Sequence, residues 1–201
     1  MLLVGLTGGL ASGKSCIGQL LRGLGCFLIQ ADELGRLVSE PGGEAYDLIV
    51  AEFGPGILGP DGLIDRRRLA SLVFPNPESL QRLNALVHPP VRARERELQE
   101  AFERKVPHGI CITEAAILIE TGSYRQYDRL ILAFCGVEQQ IERAMARGRL
   151  TREEVLDRMR RQMPLEEKRK YADYVIDTSG SKESTVVQTQ SVYNSLRSLT
   201  Q

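Results

Sequence analysis

Short apolar runs recur along the chain at residues 2–6, 26–30, 109–113, 129–134 and 173–177, and the stretches between them place their apolar residues at helical spacing. Continuous apolar runs alternating with amphipathic segments predict buried strands joined by crossover helices. This is the pattern of an α/β protein with a five-stranded parallel sheet. The first helix is expected from Gly13 to about Gly25, with Ile17, Leu20, Leu21 and Leu24 as its inward stripe. About eighty residues separate the second run from the third, far more than a crossover needs, and they are punctuated by Pro41-Gly42-Gly43, Gly59-Pro60-Asp61-Gly62 and Pro75-Asn76-Pro77. A helical insertion is therefore expected there. Within it Asp65 can cap a helix to about Phe74, and a long helix should follow Pro89-Pro90, with Arg92, Arg94 and Arg96 interleaved with Glu95 and Glu97 on a solvated face. After the fourth run, Thr151 and Glu154 have capping-box spacing for a helix over about 151–162. Two acid-first pairs, Glu154/Arg158 and Asp157/Arg161, sit four apart on it.

Composition narrows the class without deciding it. At 201 residues and 42% hydrophobic, the chain can bury one sizeable core with a small inserted subdomain. Its 26 basic and 26 acidic residues cancel, so net charge gives no sign of a nucleic-acid partner or a membrane surface. Cys16, Cys26, Cys111 and Cys135 fall inside predicted helices or strands without ligand spacing, which predicts reduced core residues. No basic segment precedes the first apolar run and no run has bilayer length, so a cytoplasmic protein is expected. Oligomeric state has no signature in the sequence.

The chemistry starts at residues 8–16. Gly8, Gly9, Leu10, Ala11, Ser12, Gly13, Lys14, Ser15 and Cys16 hold the spacing Gly-x-x-x-x-Gly-Lys-Ser, directly after the first strand and opening the first helix. Glycines let the chain fold back so that backbone N–H groups converge on an anion at the positive end of a helix dipole. A triphosphate is the expected guest, ATP with Mg2+. Lys14 would lie on the outer phosphates and Ser15 would be a metal ligand. No Gly-x-Gly-x-x-Gly spacing occurs at residues 5–13, which disfavours a dinucleotide fold.

Phosphoryl transfer also needs a group near the acceptor's proton and positive charge on the moving phosphate. Asp32, just after the second strand, is either that base or the cap of a helix over 33–39. Glu114, at the end of the third strand, is either an acid near the magnesium through a water, a substrate contact, or a plain loop acid. Arg143 and Arg147 lie four apart on one helix, on phosphate oxygens together or on an exposed side. His88, before two prolines, should have extended backbone and stand at the head of a helix.

Taken together, these residues resemble the dephospho-coenzyme A kinase family, collinearly over nearly all of residues 2–190. The likeness runs through Gly5-Leu6-Thr7-Gly8-Gly9 to Ser15, Ala31-Asp32, and Asp61-Gly62-Leu63-Ile64-Asp65-Arg66 with Leu69 and Val73-Phe74. It continues through His88-Pro89, Arg92, Leu118, Glu120, Gln140, Arg143, Arg147, Arg158, Gln162 and Ala172-Asp173. The resemblance implies one kinase domain with a three-layer phosphate-loop nucleoside triphosphate hydrolase-type fold. Its core would be about 1–31 and 106–201, its coenzyme A-binding helical insert about 32–105 and its lid about 143–170. It implies ATP-dependent phosphorylation of the ribose 3′-hydroxyl of dephospho-coenzyme A, with Asp32 as base and Arg66 and His88 on the coenzyme moiety. Lys14, Arg143 and Arg147 would act on the transferring phosphate, with Thr178 near adenine. The chain departs from the family pattern in three places: Gln30 replaces an acid, Glu114-Ala115-Ala116 replaces Asp-x-Pro, and Thr178 replaces Asn. Another small-metabolite or nucleoside monophosphate kinase, or a nucleotide-dependent switch, would share the loop but not the rest.

Overall fold

The computed structural model describes residues 1–148 and 150–200. Strand β1 (Leu2–Gly8) is the centre of a five-stranded sheet with β2 (Phe27–Gln30), β3 (Ile110–Glu114), β4 (Arg129–Phe134) and β5 (Tyr174–Asp177), in the order β2-β3-β1-β4-β5. Every pairing is parallel. A parallel sheet needs apolar residues on both faces, and the strands supply them: Val4, Leu6, Ile112, Ile131, Leu132 and Ile176 are all fully buried. The strands start and stop within two residues of the apolar runs.

Helix α1 (Lys14–Gly23) returns from β1 and buries Ile17 and Leu21 against this core, while Leu20 and Leu24 are half-buried beside them. The C-terminal helix Lys182–Ser198 lies beside it and adds Val192 and Leu196 to the same cluster. The connection after β1 runs to one edge of the sheet and that after β3 toward the other, and the loop after β1 lies at the carboxyl end of this switch point, where open parallel sheets bind their ligands. Ile131 on β4 has no exposed surface, so Ile131→Val should cost about 1 kcal/mol, read as a lower denaturant midpoint with unchanged slope.

The described chain divides into two compact units, Met1–Gln30 with Ala101–Gln201, and Ala31–Glu100. The second is built from α2 (Ala31–Leu37), α3 (Tyr46–Phe53), α4 (Arg66–Val73) and most of α5 (Pro77–Lys105). Its own core joins Val38, Ala45, Ile49, Ile57, Leu69 and Val73. Asp65 caps α4 as expected, accepting from the Arg67 and Arg68 N–H groups at 2.9 and 3.1 Å. Those bonds hold its carboxyl below the usual range.

One expectation for this unit fails. Helix α5 does not begin after Pro89-Pro90; it starts at Pro77 and runs through both prolines. His88 is accordingly helical, not extended at a helix head. Leu83, Leu86, Val87 and Val91 flank the prolines and pack on the second core, so burial outweighs the hydrogen bonds that proline removes. The charged face is solvated as expected at Arg92, Arg94, Arg96 and Glu97, with Glu95 as the exception. Glu95 is buried and accepts from Gln99, while Arg94 pairs with Glu44 at 2.7 Å.

Beyond β4 come α6 (Val137–Gly148), α7 (Arg152–Arg160) and the short α8 (Leu165–Lys168). The Thr151 and Glu154 capping box forms on α7, and Asp157 on that helix pairs with Arg160. Cys26, Cys111 and Cys135 are buried thiols, Cys26 being pushed up to about 12 by burial, whereas Cys16 is exposed against expectation because α1 turns it away from the sheet. Among the described residues no helix is long and apolar enough to cross a membrane.

Candidate active site

The loop between β1 and α1 forces the chain through a left-handed turn, with Ala11 at φ +54° and Gly13 at φ +95°. Glycine is needed at two points for different reasons. At Gly13 the backbone angle itself excludes most side chains, and at Gly8 a Cβ would lie 2.4 Å from Ser12 Oγ and 2.8 Å from the Ala133 carbonyl. The first N–H groups of α1 have no carbonyl one turn behind them, so the loop and the helix dipole converge on one point. Lys14 folds back over this cradle, its Nζ donating to the Gly9 carbonyl at 2.8 Å. Ser12 Oγ is buried without a hydrogen-bond partner among the described residues, a polar group left over in the cradle wall. Cys16 spends its N–H on the Gly13 carbonyl at 3.1 Å, which leaves the anion to the residues before it.

Beside the loop, Ser15 donates its hydroxyl to Glu114 Oε1 at 2.7 Å. Glu114 is buried at the end of β3, and its other oxygen accepts from Gln30 Nε2 at 3.3 Å. Gln30 and Glu114 face each other in strand register, so the departure at position 30 has a physical account: an acid there would oppose Glu114, whereas an amide holds it. With its proton given to Glu114, the Ser15 oxygen can offer only lone pairs. Serine and carboxylate oxygens are hard donors. Among the described residues no three His, Cys, Asp or Glu side chains gather into a metal cluster. That donor set fits Mg2+, which takes one or two protein oxygens and draws its other ligands from phosphates and water.

Thr178, expected near adenine, is buried, and its hydroxyl is committed elsewhere. Its Oγ1 lies 2.8 Å from the Ser12 carbonyl, to which it donates, and accepts from Arg143 Nη1 at 3.1 Å. Arg143 Nη2 adds a bond to the Thr178 carbonyl at 2.6 Å. Arg143 is thus tied to the loop through Thr178, while Arg147, one turn further along α6, is exposed. The two guanidinium groups therefore share a helix but not a partner.

Three residues given no role in the sequence reading hold the loop from behind. Gln140 Nε2 donates to the Leu10 carbonyl at 2.7 Å, Gln162 Oε1 accepts from the Leu10 N–H at 2.9 Å, and Lys168 Nζ donates to the Gly8 carbonyl at 3.3 Å. Lys168 has no exposed surface. It stands among Glu166, Glu167, Arg169 and Lys170, so composition marks it as a surface residue. Only its spacing of three from the buried Leu165 hints at an inward face. The missing proline at Ala116 is also accounted for, since the Ala116 carbonyl is held by Thr7 Oγ1 at 3.2 Å and Lys168 Nζ at 2.6 Å.

In the second unit, Asp32 lies in the first turn of α2, which begins at Ala31, so it is not the cap of a helix starting at residue 33. Its carboxylate still faces the favourable end of that helix dipole. Arg66 is the first residue of α4, exposed, beside the Asp65 cap. His88 is half-buried on α5, one turn before Arg92, and burial together with that cation pushes its pKa down, so the ring is neutral at neutral pH.

A family model for dephospho-CoA kinase matches residues 2–184 of the chain. A protein named dephospho-CoA kinase from Aquifex aeolicus is 41% identical over 193 residues, covering 96% of both chains. Among solved structures, TT1252 from Thermus thermophilus superposes with a TM-score of 0.81 at 35% identity, covering 96% of each chain. A dephospho-CoA kinase from Campylobacter jejuni shares the fold with a TM-score of 0.64 at 24% identity, again over 96% of each chain.

Proposed function

The chain belongs to the dephospho-CoA kinase family, and from that premise we propose which of its residues carry the ATP-dependent phosphorylation of the dephospho-CoA ribose 3′-hydroxyl, the last step of coenzyme A formation. The observation that carries the reading is the junction of the left-handed loop with the Ser15–Glu114 hydrogen bond. It sets an anion cradle beside a hard-oxygen donor pair at one sheet edge. The loop from Gly8 to Ser15 takes the triphosphate. Ser15, with Glu114 behind it, would hold Mg2+, which would supply charge neutralisation for the triphosphate.

Asp32 accepts the 3′-hydroxyl proton as the ribose oxygen bonds to the γ-phosphorus. The bond from that phosphorus to its bridging oxygen breaks with the electron pair leaving on ADP. Lys14 follows the negative charge as it shifts toward the bridging oxygen. Arg143 has spent two N–H groups on Thr178 and keeps the rest of its fork for phosphate, and Arg147 joins it from the lid, residues 143–170. The helical insert, about residues 32–105, receives the coenzyme moiety through Arg66 and a neutral His88. Four free cysteines support a reducing compartment, the cytoplasm.

ADP release from the purified chain with Mg-ATP tests the reading. Release that depends on dephospho-CoA is expected, and equal release with other alcohols or without any acceptor overturns it. A finer check falls on Arg147. Arg147→Lys keeps the charge but loses the planar fork, so turnover should drop about tenfold, and by more than ATP affinity does. Unchanged turnover would place that side chain outside the active site.

A further inference from the structure

Residues Gly8–Leu10 form the first half of the phosphate loop, and three of their backbone polar groups are held by side chains from α6, α8 and the segment between α7 and α8. Leu10 is gripped at both of its backbone polar groups, its carbonyl by Gln140 at 2.7 Å and its N–H by Gln162 at 2.9 Å. Gly9 permits the approach, since a Cβ there would stand 2.4 Å from Gln140 Nε2. One residue earlier, the Gly8 carbonyl accepts from the Lys168 ammonium. That ammonium donates to three oxygens, Gly8 O at 3.3 Å, Ala116 O at 2.6 Å and Glu120 Oε1 at 2.8 Å, which uses all of its protons. Glu120 also accepts from the Met163 N–H at 2.9 Å and so ties both ends of the segment 163–168 to one carboxylate.

A buried ammonium contributes little net stability against an apolar residue of similar size, so its presence calls for a role in specifying geometry. Ala11 supplies the reason for one. It carries a side chain at φ +54°, a conformation that persists only where its surroundings over-determine it, and it follows directly on the gripped Leu10.

We propose that Gln162 and Lys168 are positioning residues for ATP: they latch the Gly8–Leu10 backbone from behind and thereby hold Ala11 and Gly13 in the left-handed shape that gathers the N–H groups on phosphate. The inference rests on the reading of the loop as the ATP site. It extends that reading by placing the restraint in the segment that follows α7.

Gln162 is half-exposed, which makes its replacement the safer probe. In isothermal titration calorimetry with Mg-ATP and the full chain, Gln162→Leu should raise the ATP dissociation constant about tenfold, the consequence of one lost bond to a loop N–H. In steady-state assays the loss should fall on the ATP KM more than on kcat, with the dephospho-CoA KM unmoved. Gln162→Glu keeps an acceptor at the same place and should restore ATP binding to near the wild-type value. Lys168→Met should show the same split. If it does not fold, the Gln162 pair still decides. An ATP dissociation constant in Gln162→Leu within twofold of wild type, or a lowered melting temperature with unchanged ATP binding, overturns the latch. A wild-type chain that binds no Mg-ATP would sink the kinase reading itself, a different failure from wild-type binding that Gln162→Leu leaves unchanged.

Discussion

Lys14→Ala is expected to lose at least about a hundredfold in turnover while leaving the fold intact, a loss equivalent to roughly 3 kcal/mol of transition-state stabilisation. The asymmetry follows from where the ammonium sits. It is only half-buried, and it donates to the Gly9 carbonyl of its own loop at 2.8 Å. Removing it takes a net stabilisation of about 1 kcal/mol from the resting protein, the usual worth of such a bond. During transfer, however, charge accumulates on the oxygen bridging the two outer phosphates, in a site where surrounding groups screen poorly, and there a fixed cation counts for more. Because the charge acts on the transition state, kcat should fall further than ATP binding weakens. Single-turnover rates with saturating Mg-ATP and dephospho-CoA, alongside urea melts, separate the two effects. A variant within tenfold of wild type would mean that the loop does not work on a triphosphate.

The sheet was legible because parallel strands buried on both faces need uninterrupted apolar runs, and Ile110–Thr113 or Arg129–Phe134 can be little else. The loop was legible because its glycines answer a backbone requirement that sequence states directly: Gly13 has positive φ and Gly8 meets Ser12. Helix α5 was misread because a local rule about prolines competed with non-local burial of Leu83, Leu86 and Val91, and spacing alone carries no information on what those residues will meet. Lys168 was missed for a related reason. A lysine in a charged run looks solvated, and its three oxygen partners come from residues 8, 116 and 120, which only the fold brings together. Arg143 and Arg147 show the limit of helical spacing as a guide. Four residues apart they share a face, but Thr178, directly after β5, claims only the first.

Asp32→Asn should reduce turnover on the order of a hundredfold with nearly unchanged binding of both substrates, because it removes basicity while keeping size and most hydrogen bonding. The structure sharpens this test. Had Asp32 been a helix cap, Asn would have replaced it at little cost, since the two cap about equally well. Helix α2 starts at Ala31, however, so Asp32 stands inside the first turn and not before it. There its structural contribution is limited to the interaction of one carboxylate with the helix dipole, a few tenths of a kcal/mol to about 1 kcal/mol. A loss of that size would appear in the melting curve and not in the chemical step. Glu114 is the competing acid, and it is already committed: one oxygen accepts from Ser15 and the other from Gln30, an arrangement that suits a metal-side carboxylate and leaves poor access for an alcohol's proton. The hundredfold figure is modest for a general base because a loose phosphoryl-transfer transition state develops little charge on the attacking oxygen, so base strength matters less than placement. The two carboxylates can therefore be told apart by metal dependence. Asp32→Asn should lower kcat at every Mg2+ concentration, whereas Glu114→Gln should raise the Mg2+ concentration needed for half-maximal rate. Turnover of Asp32→Asn within a few-fold of wild type, in single-turnover measurements at saturating Mg-ATP, would remove Asp32 from the chemistry.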